Sequence, residues 1–266
     1  AQPWDNLKFD AAGVDEVKRK FFGTLYNTYS FFALYANVDS FTNSQPQVPM
    51  ANRPEIDRWI ISLLNSLIKE VDESYNDYEP TRAGRAISNF VNDHLSNWYV
   101  RLNRKRFWGG TLTEDKLAAY QTLYTCLDTI SRLMAPISPF YADRLFLDLN
   151  NATGCDGSES VHLSDFPKAD ESLIDKVLEE RMQLAQDISS MTLSLRKKEN
   201  IKVRQPLQQI MVPVLSEREK ENIDAVKDLI MNEVNVKGIN FVDDSAGILV
   251  KKIKPDFKKL GPKCGK

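Results

Sequence analysis

The sequence is poor in the residues that most often carry chemistry. Its 266 residues include two histidines, His94 and His162, and three cysteines, Cys126, Cys155 and Cys264. The cysteines are far apart, odd in number and never in a Cys-x-x-Cys pair, which supports neither a disulfide framework nor a zinc knuckle and leaves free thiols. His162 has no cysteine or carboxylate at metal-ligand spacing, and His94, on an apolar helical stripe, fits a hydrogen-bonded core residue. Glycine-rich phosphate loops of the G-x-x-x-x-G-K-[ST] and G-x-G-x-x-G kinds are missing, and so is a nucleophile elbow. No stretch approaches the roughly 18 consecutive apolar residues that span a bilayer, and the first residues lack the basic-then-apolar pattern of a signal peptide. These absences predict a soluble, cytoplasmic chain with no membrane partner, no metal and no catalytic residue of its own.

Net charge is only −2, which excludes a uniformly basic nucleic-acid binder but not a locally basic one. Residues 82–106 carry six Lys or Arg against one acid, 196–204 five against one, and 251–266 seven against one. The remainder is strongly acidic, so a balanced total hides three basic patches. The opening Ala-Gln-Pro-Trp without Met, and the closing Gly-Pro-Lys-Cys-Gly-Lys, suggest a segment of something longer.

Apolar residues recur at three- and four-residue steps through the first half, which predicts long helices. Val17, Phe21, Leu25, Thr28, Phe32 and Tyr35 form a first stripe. Asn52 is placed to cap a second helix with Pro54 in its first turn and Ile56, Ile60, Leu63, Leu67 and Val71 on one face. A third is expected to bury Ala83, Ile87, Phe90 or Val91, His94, Trp98 and Leu102 and to stop at Gly109–Gly110. A fourth runs from about Glu114 to Met134, followed by a short helix through Phe140 and Phe146 and a long one from about Glu171 to Lys198. After Pro206 the pattern changes. Ile210, Val212 and Val214 alternate as a strand does, Ser216 can cap a helix through Met231, and 239–242 and 248–253 look like two more strands. The expected fold class is mainly α, with a helical bundle over 1–168, a connecting helix over 169–205 and a small α+β module over 206–266.

The segment Asn97-Trp98-Tyr99-Val100-Arg101-Leu102-Asn103-Arg104-Lys105-Arg106-Phe107-Trp108 stands out. On a helix, Asn97, Arg101, Arg104 and Lys105 share one side while Trp98 and Leu102 point inward, which predicts a positive ridge over an aromatic core. Guanidinium forks suit phosphate because they donate two hydrogen bonds at once. The same arginines can instead pair with acids of neighbouring helices or stack on Trp98, Tyr99 and Trp108.

Ser96–Trp108 resembles the anticodon-binding bundle signature of the class I aminoacyl-tRNA synthetases that activate branched-chain amino acids and methionine. Met134-Ala135-Pro136-Ile137-Ser138-Pro139-Phe140 is similar to the helix-breaking turn of that family. Pro3–Phe9, Asn27–Ala33, Glu55–Ile60, Ile201–Leu207 and Glu233–Lys237 look like the isoleucyl members, and the resemblance covers nearly the whole chain. It implies the C-terminal region of an enzyme that joins isoleucine to tRNA with ATP and Mg²⁺. The ATP-handling signatures would lie N-terminal to this region, which would need no cofactor itself. The implied partner is the anticodon arm of an isoleucine tRNA rather than DNA, bound by a monomer. Candidate contacts are Arg101, Arg104, Lys105, Arg106 and Trp108, with Tyr99 as a stacking residue and Arg204 as a phosphate contact. A valyl or leucyl enzyme and a protein-interaction scaffold are the alternatives; a hydrolase built from unmarked residues fits less well.

Overall fold

The computed structural model describes Trp4, Asn6 and residues 8–242, and the chain divides into two compact units, Ala1–Glu179 and Glu180–Lys266. The first helix starts where the Asp10 carboxylate accepts hydrogen bonds from the N–H groups of Ala12 and Gly13, closing two donors that a helix start leaves open. It runs as α1 (Ala11–Val17), a π-helical turn (Lys18–Phe22) and α2 (Gly23–Val38). Leu25, Thr28 and Phe32 are buried as the stripe predicts, whereas Val17 is exposed. The wider π turn breaks the 3.6-residue period between them.

Helix α3 (Glu55–Asn76) begins after Pro54, not after Asn52. The Asn52 amide instead donates to Glu114, and the buried Arg53 donates to the Val48 carbonyl and to Thr122. Trp59, Ile60, Ile61, Leu64, Leu67, Ile68 and Val71 are all buried, so α3 is covered on more than one side. At roughly 1.5–3 kcal/mol per large apolar side chain, this helix contributes heavily to the stability of the bundle.

A third rod comprises α4 (Pro80–Asn89), a π-helical stretch (Phe90–Val100) and α5 (Arg101–Phe107). Pro80 occupies its first turn, where a missing N–H costs nothing. Thr113 caps α6 (Glu114–Met134), which has the predicted bounds. Ala135–Ser138 then turn the chain into α7 (Pro139–Thr153), which ends on Gly154 at φ 65°. The long helix expected from Glu171 starts later, as α8 (Lys176–Lys198), because Asp170 caps a separate 3-10 turn over Glu171–Leu173.

In the second unit, β1 (Ile210–Pro213) pairs in parallel with β2 (Ile239–Val242), Ile210 opposite Ile239 and Pro213 opposite Val242. Parallel strands need a helical crossover. Here it is α9 (Glu217–Ala225), capped by Ser216, and α10 (Lys227–Val234). The single helix expected through Met231 is broken at Val226, whose φ of −114° and ψ of 12° leave the helical region. The predicted strand over 248–253 and the lysine-rich tail lie outside the described residues. Among the described residues no helix is long and apolar enough to cross a membrane, and no group of three His, Cys, Asp or Glu is placed to hold a metal.

Candidate nucleic-acid interface

The basic segment lies where the π-helical stretch passes into α5, and that passage decides which side chains face out. A π turn holds more residues than an α turn, so the faces read from a 3.6-residue period rotate across Phe90–Val100. Trp98, Tyr99, Val100, Asn103 and Phe107 are buried, while His94 and Leu102, expected inside, are only half-buried. His94 sits edge-on to Trp59 and tilted against Phe90. Asn97, Arg101, Arg104, Lys105 and Trp108 are exposed.

Two of the expected contacts must be corrected. Tyr99 has no exposed surface, so its ring has no face to offer a base. Its hydroxyl donates to Asp57 Oδ1 at 2.8 Å, and burial, reinforced by the Asp57 charge, pushes its pKa well up. Arg106 does not stand on the ridge either. Its Nη1 and Nη2 donate to the two oxygens of Asp57 at 2.6 and 2.9 Å, and its Nε donates to Asp115 at 3.0 Å. Burial alone would lower the Arg106 pKa, but hydrogen bonds to Asp57 and Asp115 and the neighbouring charges raise it above its ordinary value. The guanidinium therefore ties α3, α5 and α6 together beneath the surface.

Three cations remain on the outer side. Arg101 donates through Nε to the Asn97 carbonyl at 2.7 Å, and its guanidinium lies 5.8 Å from the centre of the Trp98 ring. Arg104 and Lys105 are exposed and have no carboxylate partner among the described residues. Beyond them Trp108 is 54% exposed. It leads into Gly109 and Gly110, whose φ values of 54° and 75° are left-handed and favour glycine.

This corner is held from below by a second buried cation. Lys116, 3% exposed, donates to the Gly109 carbonyl at 3.1 Å and pairs with Asp39, which also accepts from the Tyr120 hydroxyl. Burial works to raise the Asp39 pKa, but these two hydrogen bonds and the Lys116 charge hold the carboxyl below the usual range. Asp57, Lys116 and Asp39 were not found by sequence reasoning. Asp57 lies in a segment that resembles the family, yet no spacing signals a partner 49 positions away.

In the second unit, Arg204 is exposed, as a phosphate contact requires. The basic stretch around it is only partly available, because Arg196 is buried and donates to three backbone carbonyls.

Residues 57–212 match the family described as the anticodon-binding domain of tRNA ligase. The isoleucine–tRNA ligase of Bacteroides thetaiotaomicron is 72% identical over all 266 residues, which cover 23% of its own length. That of Cytophaga hutchinsonii is 60% identical over 265 residues and 24% of its length. That of Dehalococcoides mccartyi strain 195 is 46% identical over 90% of this chain and 23% of its own. The chain thus spans about a quarter of the length of these curated relatives.

Proposed function

The chain belongs to the anticodon-binding-domain family of tRNA ligases, and on that premise we propose that its first unit grips the anticodon arm of an isoleucine tRNA. The observation that carries this reading is the pairing of two cations without a carboxylate partner among the described residues, Arg104 and Lys105, with an exposed Trp108 on a helix end fixed by buried ion pairs. Arg104 and Lys105, with Arg101 beside them, neutralise phosphates and release counterions. Trp108 offers a flat ring at a glycine corner, on which an unstacked base of a single-stranded loop can lie. Tyr99 and Arg106 hold this surface from inside, and Arg204 adds a phosphate contact from the second unit.

The similarity to isoleucine–tRNA ligases supports isoleucine as the amino acid of the complete enzyme. That enzyme would join isoleucine to its tRNA at the expense of ATP with Mg²⁺, in a catalytic body outside this region, and this region would bind tRNA without a cofactor. It would do so as a monomer in the cytoplasm.

The test is to titrate the chain into isoleucine tRNA and into the same tRNA with a replaced anticodon, at two salt concentrations. Tighter, salt-sensitive binding to the authentic anticodon is expected. Equal affinity for both would reduce the surface to a backbone clamp, and no binding at low salt would refute the reading.

A further inference from the structure

The end of α8 and the turn after it form a small structure built around one buried cation. The helix closes at Asn200, at φ 56°, with the Ile201 N–H donating back to the Arg196 carbonyl at 2.8 Å. Arg196 is 3% exposed. Its Nη1 donates to the carbonyls of Lys202 and Gln205 at 3.2 and 3.0 Å, and its Nη2 to the carbonyl of Asn235 at 3.0 Å. Asn235, itself left-handed at φ 52°, donates from its side-chain amide to the Val203 carbonyl at 2.8 Å. Three of these links thus draw the carbonyls of Lys202, Val203 and Gln205 inward.

Two consequences follow from elementary geometry and electrostatics. In a trans peptide the C=O and the next N–H point in opposite directions. With the Lys202 and Val203 carbonyls held inward, the N–H groups of Val203 and Arg204 face out, and among the described residues neither has an acceptor. Outward N–H groups of successive residues in a turn make a concavity suited to an anion. Secondly, the Arg196 guanidinium has no carboxylate among the described residues, and its Nε is buried with no partner. Carbonyl dipoles accept from its two terminal nitrogens but leave its positive charge in place. Within residues 197–204, Lys197, Lys198, Lys202 and Arg204 are exposed and have no acidic partner among the described residues, against the one acid Glu199 in that stretch.

We propose that the Lys202–Arg204 turn is a phosphate-binding site for an RNA backbone, made of two main-chain N–H groups and the side chains of Lys202 and Arg204, with Arg196 as its positioning residue. The proposal rests on the reading that this chain binds tRNA, and adds to it the turn amides and the role of Arg196.

The experiment uses the 266-residue chain labelled with ¹⁵N, with intact isoleucine tRNA and inorganic phosphate as separate probes. On adding tRNA, the amide resonances of Val203 and Arg204 should shift. The slope of log affinity against log salt should shallow by about 0.7–0.9 for each phosphate contact removed in Lys202→Gln and Arg204→Gln. Both residues are exposed, so both variants should fold. Arg196→Gln, which keeps the surface cations, should lose the amide shifts, and a thermal melt would confirm that it remains folded. If tRNA binds and Arg104→Gln weakens it, while the turn amides stay still and the slope is unchanged in Arg204→Gln, this inference fails and the ridge reading stands. Amide shifts produced by inorganic phosphate but not by tRNA would equally overturn it. No tRNA binding by the parent chain would overturn both.

Discussion

Arg106 and Asp57 face each other as a two-pronged ion pair, 2.6 and 2.9 Å between their matched atoms, with the carboxylate sealed from solvent. The pair fastens the carrier of the surface cations to α3. An arginine offered on the sequence as a candidate RNA contact is thus the anchor beneath Arg104 and Lys105. Its neighbours Arg104 and Lys105 have no carboxylate partner among the described residues.

Removing the guanidinium would leave the Asp57 carboxylate buried with the Tyr99 hydroxyl as its one remaining side-chain donor among the described residues. Breaking one side of a buried pair typically costs about 3–5 kcal/mol, largely because of the charge left behind. Arg106→Met should lower unfolding stability by about that much in urea. Asp57→Asn combined with Arg106→Met should cost clearly less than the two single changes added together. Simple additivity would mean that the two groups are not coupled.

The two tryptophans of the basic segment should separate stability from binding. Trp98 is 4% exposed, and replacing it with Ala should cost about 3–5 kcal/mol by loss of packing. Trp108 is mostly exposed, so Trp108→Ala should change stability by less than about 0.5 kcal/mol. It should instead weaken tRNA binding by about 1–3 kcal/mol, the range for a lost base stack. Denaturation and titration on the same two proteins decide the matter, and unaltered affinity in Trp108→Ala would remove that residue from the interface.

Helix order and the bounds of α6 were legible in the sequence because apolar spacing reports burial directly wherever a helix keeps an α period. The errors gather where it does not. Val17 and Leu102 were misplaced next to π-helical turns, whereas Tyr99 was taken for a stacking residue on the chemistry of its ring, not on its place in the helix. Arg106 and Arg196 were misread for a different cause. A sequence displays positive charge but not the carboxylate or carbonyl that meets it, and those partners are distant or belong to the backbone. The motif similarity drew attention to the basic segment, and only the structure divided its cations into outer and inner sets.

The loop after α7 should respond to acid. Asp156 accepts from Ser158 and from Arg132, and these bonds, Ser158 first, hold its carboxyl at about 2 against an ordinary 3.8. A depressed folded-state pKa contributes stability that is fully present above the ordinary value and is lost as pH falls through the folded one. The contribution should therefore fade between pH 3.8 and about 2. Melting temperature should fall less steeply over that window in Asp156→Asn than in the parent, and identical slopes would assign the acid sensitivity to other carboxylates.

The split between outer and inner arginines is open to a test that stability alone cannot supply. A cation that touches phosphate releases counterions on binding, so its loss should shallow the salt dependence by about 0.7–0.9 per contact. Arg104→Gln and Lys105→Gln should each do so while leaving the fold intact, since neither side chain has a protein partner among the described residues. Arg106→Gln should behave differently. Its guanidinium is spent on Asp57 and Asp115, so the variant should lose stability, and at a temperature where it is still folded its salt slope should match that of the parent. A shallower slope for Arg106→Gln, measured on folded protein, would return that residue to the interface and make the Asp57 pair a resting state that RNA must break.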